Sequence, residues 1–252
     1  MLKATTNNIY TLLVEDEDAR VCRDIPDEAC NEQPQAFVRQ LLAQSFTKIG
    51  DALTSSRLVL AWMLASMGAP AILISMLVPV RESLSLLPQL LIAQRIREHG
   101  VRKWFWVAGS IAQAMALLAM IPALVYLPGA TGSLLIVLLL ALFSLARGVC
   151  SVAAKDVLGK TISKSRRGRL TGLAASISGL VTLSVAVLIW FAPEGAADTD
   201  RGVELFVLLL AGAALLWLCA SAIYAGIPEV PGATEGGGNA LTDAVKSLGL
   251  LY

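Results

Sequence analysis

Charge is scarce in this sequence. Only 15% of its 252 residues are Asp, Glu, Lys or Arg, where a soluble domain carries about 25%. The charges that exist are clustered, leaving long uncharged runs. Histidine is almost missing as well: the single one, His99, sits in a basic segment and reads as a solvated loop residue. The four cysteines, Cys22, Cys30, Cys150 and Cys219, lack metal-ligand spacing and read as free thiols. There is no phosphate-binding glycine loop, no zinc-type cluster and no nucleophile elbow. The chain therefore does not read as an enzyme, and neither a metal nor a cofactor is expected. Its start is polar and acidic (Glu15, Asp16, Glu17, Asp18), and the first apolar run begins after Arg57. That is not the pattern of a cleavable signal peptide.

What is present is apolar length. The chain is 56% hydrophobic, with a mean hydropathy of +0.69. A helix needs about 20 apolar residues to cross the hydrocarbon. The composition thus predicts an all-α, multi-pass integral membrane protein whose one certain partner is the lipid bilayer. The clearest element is a hairpin: apolar residues 133–154, a basic segment carrying Lys155, Lys160, Lys164, Arg166, Arg167 and Arg169, and apolar residues 170–191. Six spans are expected, at 58–80, 84–94, 104–127, 133–154, 170–191 and 203–227. Residues 1–57 read as a cytoplasmic tail, partly ordered up to residue 34. A helix near 35–50 would lie on the membrane surface or lead into the first span. Arg81 and Glu82 would sit in the turn between the first two spans. Residues 228–252 read as a cytoplasmic linker.

Orientation follows from lysine and arginine in the short loops. The loop after the second span holds Arg95, Arg97, Arg102 and Lys103, and the hairpin loop is basic too. The intervening loops are uncharged or acidic. Both termini are therefore expected in the cytoplasm, with the protein in the plasma (inner) membrane. Topology explains the basic loops, so no nucleic-acid partner is expected. Small residues recur every four positions in the first span (Ala61, Ala65, Ala69), the third (Ala108, Ala112, Ala116) and the fifth (Gly168, Gly172, Ser176), which predicts close helix packing.

Arg147 lies deep in an apolar span, where insertion costs roughly 2.5–3.5 kcal/mol. It should face the bundle interior or an aqueous cavity, either as a substrate or coupling contact or as a structural tie. No span offers it a central carboxylate. Gln89 and Gln113 are weaker candidates for lining a cavity. Gly68 and Pro70 would interrupt the first helix mid-span, freeing a carbonyl.

The order of these features resembles the N-terminal six-helix half of a major facilitator superfamily transporter. The loop signature of that family is matched by Gly100, Arg102 and Lys103, with its Asp-Arg pair replaced by Arg97-Glu98. Arg147-Gly148 and the small residues after them resemble its fourth-span signature, without the glutamine. Arg167-Gly168-Arg169 and Gly172 resemble the element opening its fifth span. The resemblance implies three-plus-three inverted repeats and a secondary transporter moving a small solute by alternating access, with a proton or ion as coupling partner. It further implies a C-terminal six-helix half, supplied by the same chain if this sequence is truncated and by a dimer otherwise. The alternative reading is a transporter-like membrane scaffold or assembly factor that transports nothing.

Overall fold

The computed structural model describes residues 2–14, 25–127, 129–190 and 199–232. Among the described residues every regular element is helical: α1 (Leu2–Val14), α2 (Asp27–Leu53), α3 (Val59–Ser66), α4 (Ala71–Leu91), α5 (Ala93–Arg97), α6 (Lys103–Tyr126), α7 (Gly129–Thr161), α8 (Lys164–Trp190) and α9 (Thr199–Ala225). Five of these, α4 and α6 to α9, are long and apolar enough to cross a membrane. Helices suit that setting because they satisfy their own backbone polar groups where no water can. Their outward faces carry exposed leucines such as Leu86, Leu138, Leu180 and Leu215, as a multi-pass membrane protein requires.

The expected spans 58–80 and 84–94 are not two helices flanking a turn. Residues 71–91 form the single helix α4, and Arg81 and Glu82 lie in its interior. Hydropathy misreads this because one arginine between apolar runs looks like a loop. Arg81 instead has partners inside the bundle, so the helix continues through it. The residues before it form the short helix α3 and a turn. Gly68, at φ +72°, takes the left-handed conformation that suits glycine, and α4 begins just after Pro70. The helix is indeed interrupted there, but as the corner between α3 and α4 rather than mid-span.

The second correction concerns the N-terminal region. The helix near 35–50 does not lie on a surface but leads toward the first expected span: α2 is 27 residues long, about 40 Å at 1.5 Å per residue. It packs against α7, α8 and α9, and only Asp27, Glu28, Asn31 and Leu42 along it are exposed. The segment before it is also ordered in part: α1 docks Tyr10 edge-on against Phe37, centroids 5.5 Å apart, and Gln33 donates to the Tyr10 hydroxyl at 2.8 Å. A polar helix at the centre of a bundle escapes a hydropathy scan because its burial comes from neighbours, not composition.

α2 runs antiparallel to α7. Gln40 donates to Thr161, at the end of α7, at 2.6 Å, while Asp51 reaches Arg147 well back along the same helix. α2 therefore ends inside the bundle. The chain breaks over residues 54–58 and α3 continues the path outward. At the far end the Met67 side chain packs beside Gly132 near the start of α7.

Two apolar clusters fill the interior. One holds Leu60, Leu64, Leu117, Met120, Phe143, Phe206 and Trp217. The other holds Phe37, Leu41, Trp106, Cys150, Val157, Leu170 and Tyr224. Arg147 lies between Phe143 and Cys150 on α7, so the charged layer separates the two clusters. Close packing between α4 and α7 depends on Gly148, where a Cβ would run into the Ser85 carbonyl and Pro88. The glycines of α8 behave differently from the packing face expected of them: Gly168, Gly172 and Gly179 meet no neighbour within 4 Å.

Candidate functional site

The chain break after α2 creates the site. Residues 54–58 leave α2 with C-terminal carbonyls that have no helical partner. α4 supplies one: Arg81 Nη1 donates to the Thr54 carbonyl at 2.6 Å. Its Nη2 donates to Asp51 Oδ1 at 3.0 Å, and the guanidinium carbon lies 5.5 Å from the Phe143 ring centroid. Arg147 Nη1 donates to the same Asp51 oxygen. One carboxylate from α2 thus holds two arginines, one from α4 and one from α7. The carboxylate partner missing from the sequence spans comes from a segment read as lying outside them.

The two arginines differ in access. The Arg81 side chain is 10% exposed and the Arg147 side chain 37%. Arg81 is the fixed arm, enclosed and tied to backbone. Arg147 presents its remaining donors to a cavity of about 440 Å³, within the size range of small-molecule sites.

α2 contributes Gln44, Thr47, Lys48 and Asp51 to the cavity wall, and α7 contributes Arg147, Cys150, Ser151, Ala154, Lys155 and Leu158. Both sets follow helical spacing, so each is one face of its helix. Trp106, Thr171, Trp217 and Tyr224 complete the lining. Three cations, Lys48, Arg147 and Lys155, face one carboxylate, Asp51, and the wall is net positive by two charges. Trp106 and Tyr224 stack at 3.9 Å. The Trp217 indole nitrogen and the Tyr224 hydroxyl are buried and have no hydrogen-bond partner among the described residues.

Of the residues singled out from sequence, Arg147 lines this cavity. Gln113 sits behind it, fully buried, donating to Cys150 Sγ at 3.2 Å and leaving its own carbonyl oxygen unpaired. Gln89 donates to the Ser85 carbonyl at 3.2 Å and is not part of the lining. Gly68 and Pro70 are at the α3–α4 corner, away from the charged layer. Asp51 and Lys48 were missed. The signal available was a polar stripe at Gln40, Gln44, Thr47, Lys48 and Asp51, on one face of a helix whose apolar face was already visible.

The two basic loops meet at one end of the bundle, as alternating crossings require. Lys160, at the end of α7, donates to the Gly100 carbonyl at 2.7 Å and pairs with Glu229 at 3.1 Å. Glu229, after α9, also accepts from the backbone N–H groups of Arg102 and Lys103, the nearest at 2.8 Å. Its carboxylate caps the positive end of α6, where unpaired N–H groups favour an anion. Arg102 is buried, pairs with Asp156 at 3.3 Å and donates to the carbonyls of Arg97 and His99. Arg97 lies 4.0 Å from the same Asp156 oxygen, and Glu98 is exposed. Lys103 donates to the Ile227 carbonyl at 2.8 Å. In the second loop, Arg167 closes the end of α7 through the carbonyls of Ile162 and Gly159, while Gly168, Arg169 and Gly172 are exposed.

The cysteines need one correction. Cys150 and Cys219 are free, but Cys30 is in a disulfide. Spacing along a chain says little about whether two Cα atoms come within the roughly 7 Å that a disulfide demands. Cys22, the acidic run 15–18, the expected loop at 191–198 and the linker from residue 233 on lie outside the described residues. Set against protein-family models, curated proteins and solved structures, the chain matches none of them.

Proposed function

We propose that this chain is a transporter unit: a six-helix half of major-facilitator type, carrying a small solute by alternating access. In this reading α2 and α3 together form the first crossing, and α4, α6, α7, α8 and α9 the other five. The observation that carries it is the charged layer of Asp51, Arg81 and Arg147, set at a helix interruption beside a solute-sized cavity. Ionisable groups at that depth are costly, and they mark solute and ion pathways. Interrupted helices mark transporter sites for the same reason, because they free backbone groups to face a cavity. A second six-helix unit would complete the path, and in proteoliposomes of this chain a second copy has to supply it.

Lys and Arg density puts the basic-loop end in the cytoplasm. The disulfide at Cys30 argues the other way, since disulfides belong to oxidising compartments. The loops draw on many residues and the disulfide on one bond, so the orientation proposed follows the loops. The transport reading is tested by flux: purified chain in proteoliposomes, assayed by counterflow across a panel of small anions, cations and neutral solutes. Flux abolished by Arg147→Gln supports it. Folded protein with no flux for any solute leaves the scaffold reading.

A further inference from the structure

We propose that the cavity between α2 and α7 binds a short-chain dicarboxylate. The inference names a substrate class for the transport reading and rests on it for what binding accomplishes, but binding and flux are separate observables.

The lining is complementary to an anion with two ends. Its charge is net positive by two, from Lys48, Arg147 and Lys155 against Asp51. Lys48 and Lys155 have no carboxylate partner among the described residues. Arg147 gives one N–H to Asp51 and keeps the rest of its planar fork, a shape matched to a carboxylate. Asp51 thus acts as a positioning residue that aims Arg147.

Arg147 and Lys155 are separated by about 12 Å along α7, at 1.5 Å per residue. Antiparallel packing puts Lys48 on the Lys155 side of Asp51. The cations therefore run from a deep station at Arg147 to an outer one at the exposed Lys155, with Lys48 between them, about 4.5 Å along α2 from Asp51. Between and beside them the wall is mostly carbon, from Ala154, Leu158 and the Trp106–Tyr224 stack, with Gln44, Thr47, Ser151 and Thr171 as its uncharged polar members. Two carboxylates on a short carbon chain meet each of these demands. A compact inorganic anion leaves the carbon wall and one station uncontacted, and a cation is repelled.

The test is equilibrium binding of radiolabelled succinate to the purified full chain in nanodiscs, at constant ionic strength. Saturable binding is expected, weakened about tenfold or more by Lys48→Gln and by Arg147→Gln, as loss of one member of a charged contact implies. Arg169→Gln removes the same charge from an exposed site and should leave binding unchanged. Among the described residues Lys48 has no carboxylate partner to lose, so Lys48→Gln keeps the test valid should Arg147→Gln misfold. Absence of saturable succinate binding overturns the inference, as does equal weakening by Lys48→Gln and Arg169→Gln. Inorganic phosphate displacing succinate at equal or lower concentration also overturns it, identifying an inorganic-anion site. Saturable, Lys48-dependent binding without succinate counterflow upholds the inference and removes the transport reading. Flux of other solutes without succinate binding does the reverse.

Discussion

Asp51 and Arg81 meet at 3.0 Å across a sequence separation of 30 residues, at the point where α2 ends. The same carboxylate oxygen also serves Arg147. Removing it would leave two guanidinium groups facing each other between apolar clusters, with the Thr54 carbonyl as the remaining acceptor for Arg81 among the described residues. Breaking a buried pair by deleting one partner costs about 3–5 kcal/mol. Asp51 is 21% exposed and Arg147 is more open still, so the lower end applies. Asp51→Asn should lower thermal stability in detergent by about 3 kcal/mol. The double variant Asp51→Asn with Arg147→Gln should recover part of the loss, because it relieves the repulsion. Additive losses would show that the two residues do not interact.

Two glycines of the fourth and fifth predicted spans should respond oppositely to a larger side chain. Gly148 has the Ser85 carbonyl and Pro88 where its Cβ would be, whereas Gly172 has open space. Gly148→Leu should separate α4 from α7 and destabilise by about 3 kcal/mol, the upper end of ordinary overpacking, because backbone is the obstacle. Gly172→Leu should leave the melting temperature of the isolated chain unchanged. Equal melting temperatures for the two variants would show that α4 and α7 are not in close contact.

The contrast shows what could be read from the sequence. α6, α7 and α9 were legible because their hydropathy is continuous, and the basic loops came together as their charge implied. Arg147 stood out because a lone charge in an apolar run has few explanations. What stayed hidden depended on tertiary partners. α2 is too polar to register as a bundle helix, so Asp51 and Lys48 went unseen beside it. Arg81 looked like a loop residue until Asp51 was available to hold it. The glycine spacing of α8 looked like a packing face, yet periodicity shows only that a helix could approach, not that one does.

Glu229 is the charged point of attachment for the segment after α9. It is fully enclosed, pairs with Lys160 at 3.1 Å and accepts from the N–H groups of Arg102 and Lys103. Glu229→Gln keeps its shape but loses the charge that matches Lys160 and the α6 terminus. A loss of about 2 kcal/mol is expected, in the range for hydrogen bonds to charged groups. Hydrogen exchange should show it locally, at the first turn of α6 and residues 226–232, with the far ends of the helices unaffected. Uniform loss of protection along every helix would mean that Glu229 stabilises the bundle as a whole and not this attachment.

Cys30 decides the orientation of the whole bundle. It lies near the start of α2, at the end where Gln33 accepts from the Ser163 N–H at 3.3 Å, and so at the basic-loop end. If that end is cytoplasmic, glutathione and thioredoxin would open the Cys30 disulfide in the cell. In intact cells Cys30 should then react with a membrane-permeant maleimide without prior reduction, and be shielded from an impermeant one. Cys150 and Cys219 contribute background, so the comparison belongs in a variant with both replaced by Ala, with the label located by peptide mass so that Cys22 is not counted. Labelling by the impermeant reagent only after reduction would put Cys30 in a disulfide on the oxidising side. The bundle would then be inverted, and the end of the cavity lined by Lys155 would lie away from the cytoplasm. The charged layer, the cavity and its anion preference would be unchanged by that inversion, because they depend on contacts within the bundle and not on the compartment each end faces.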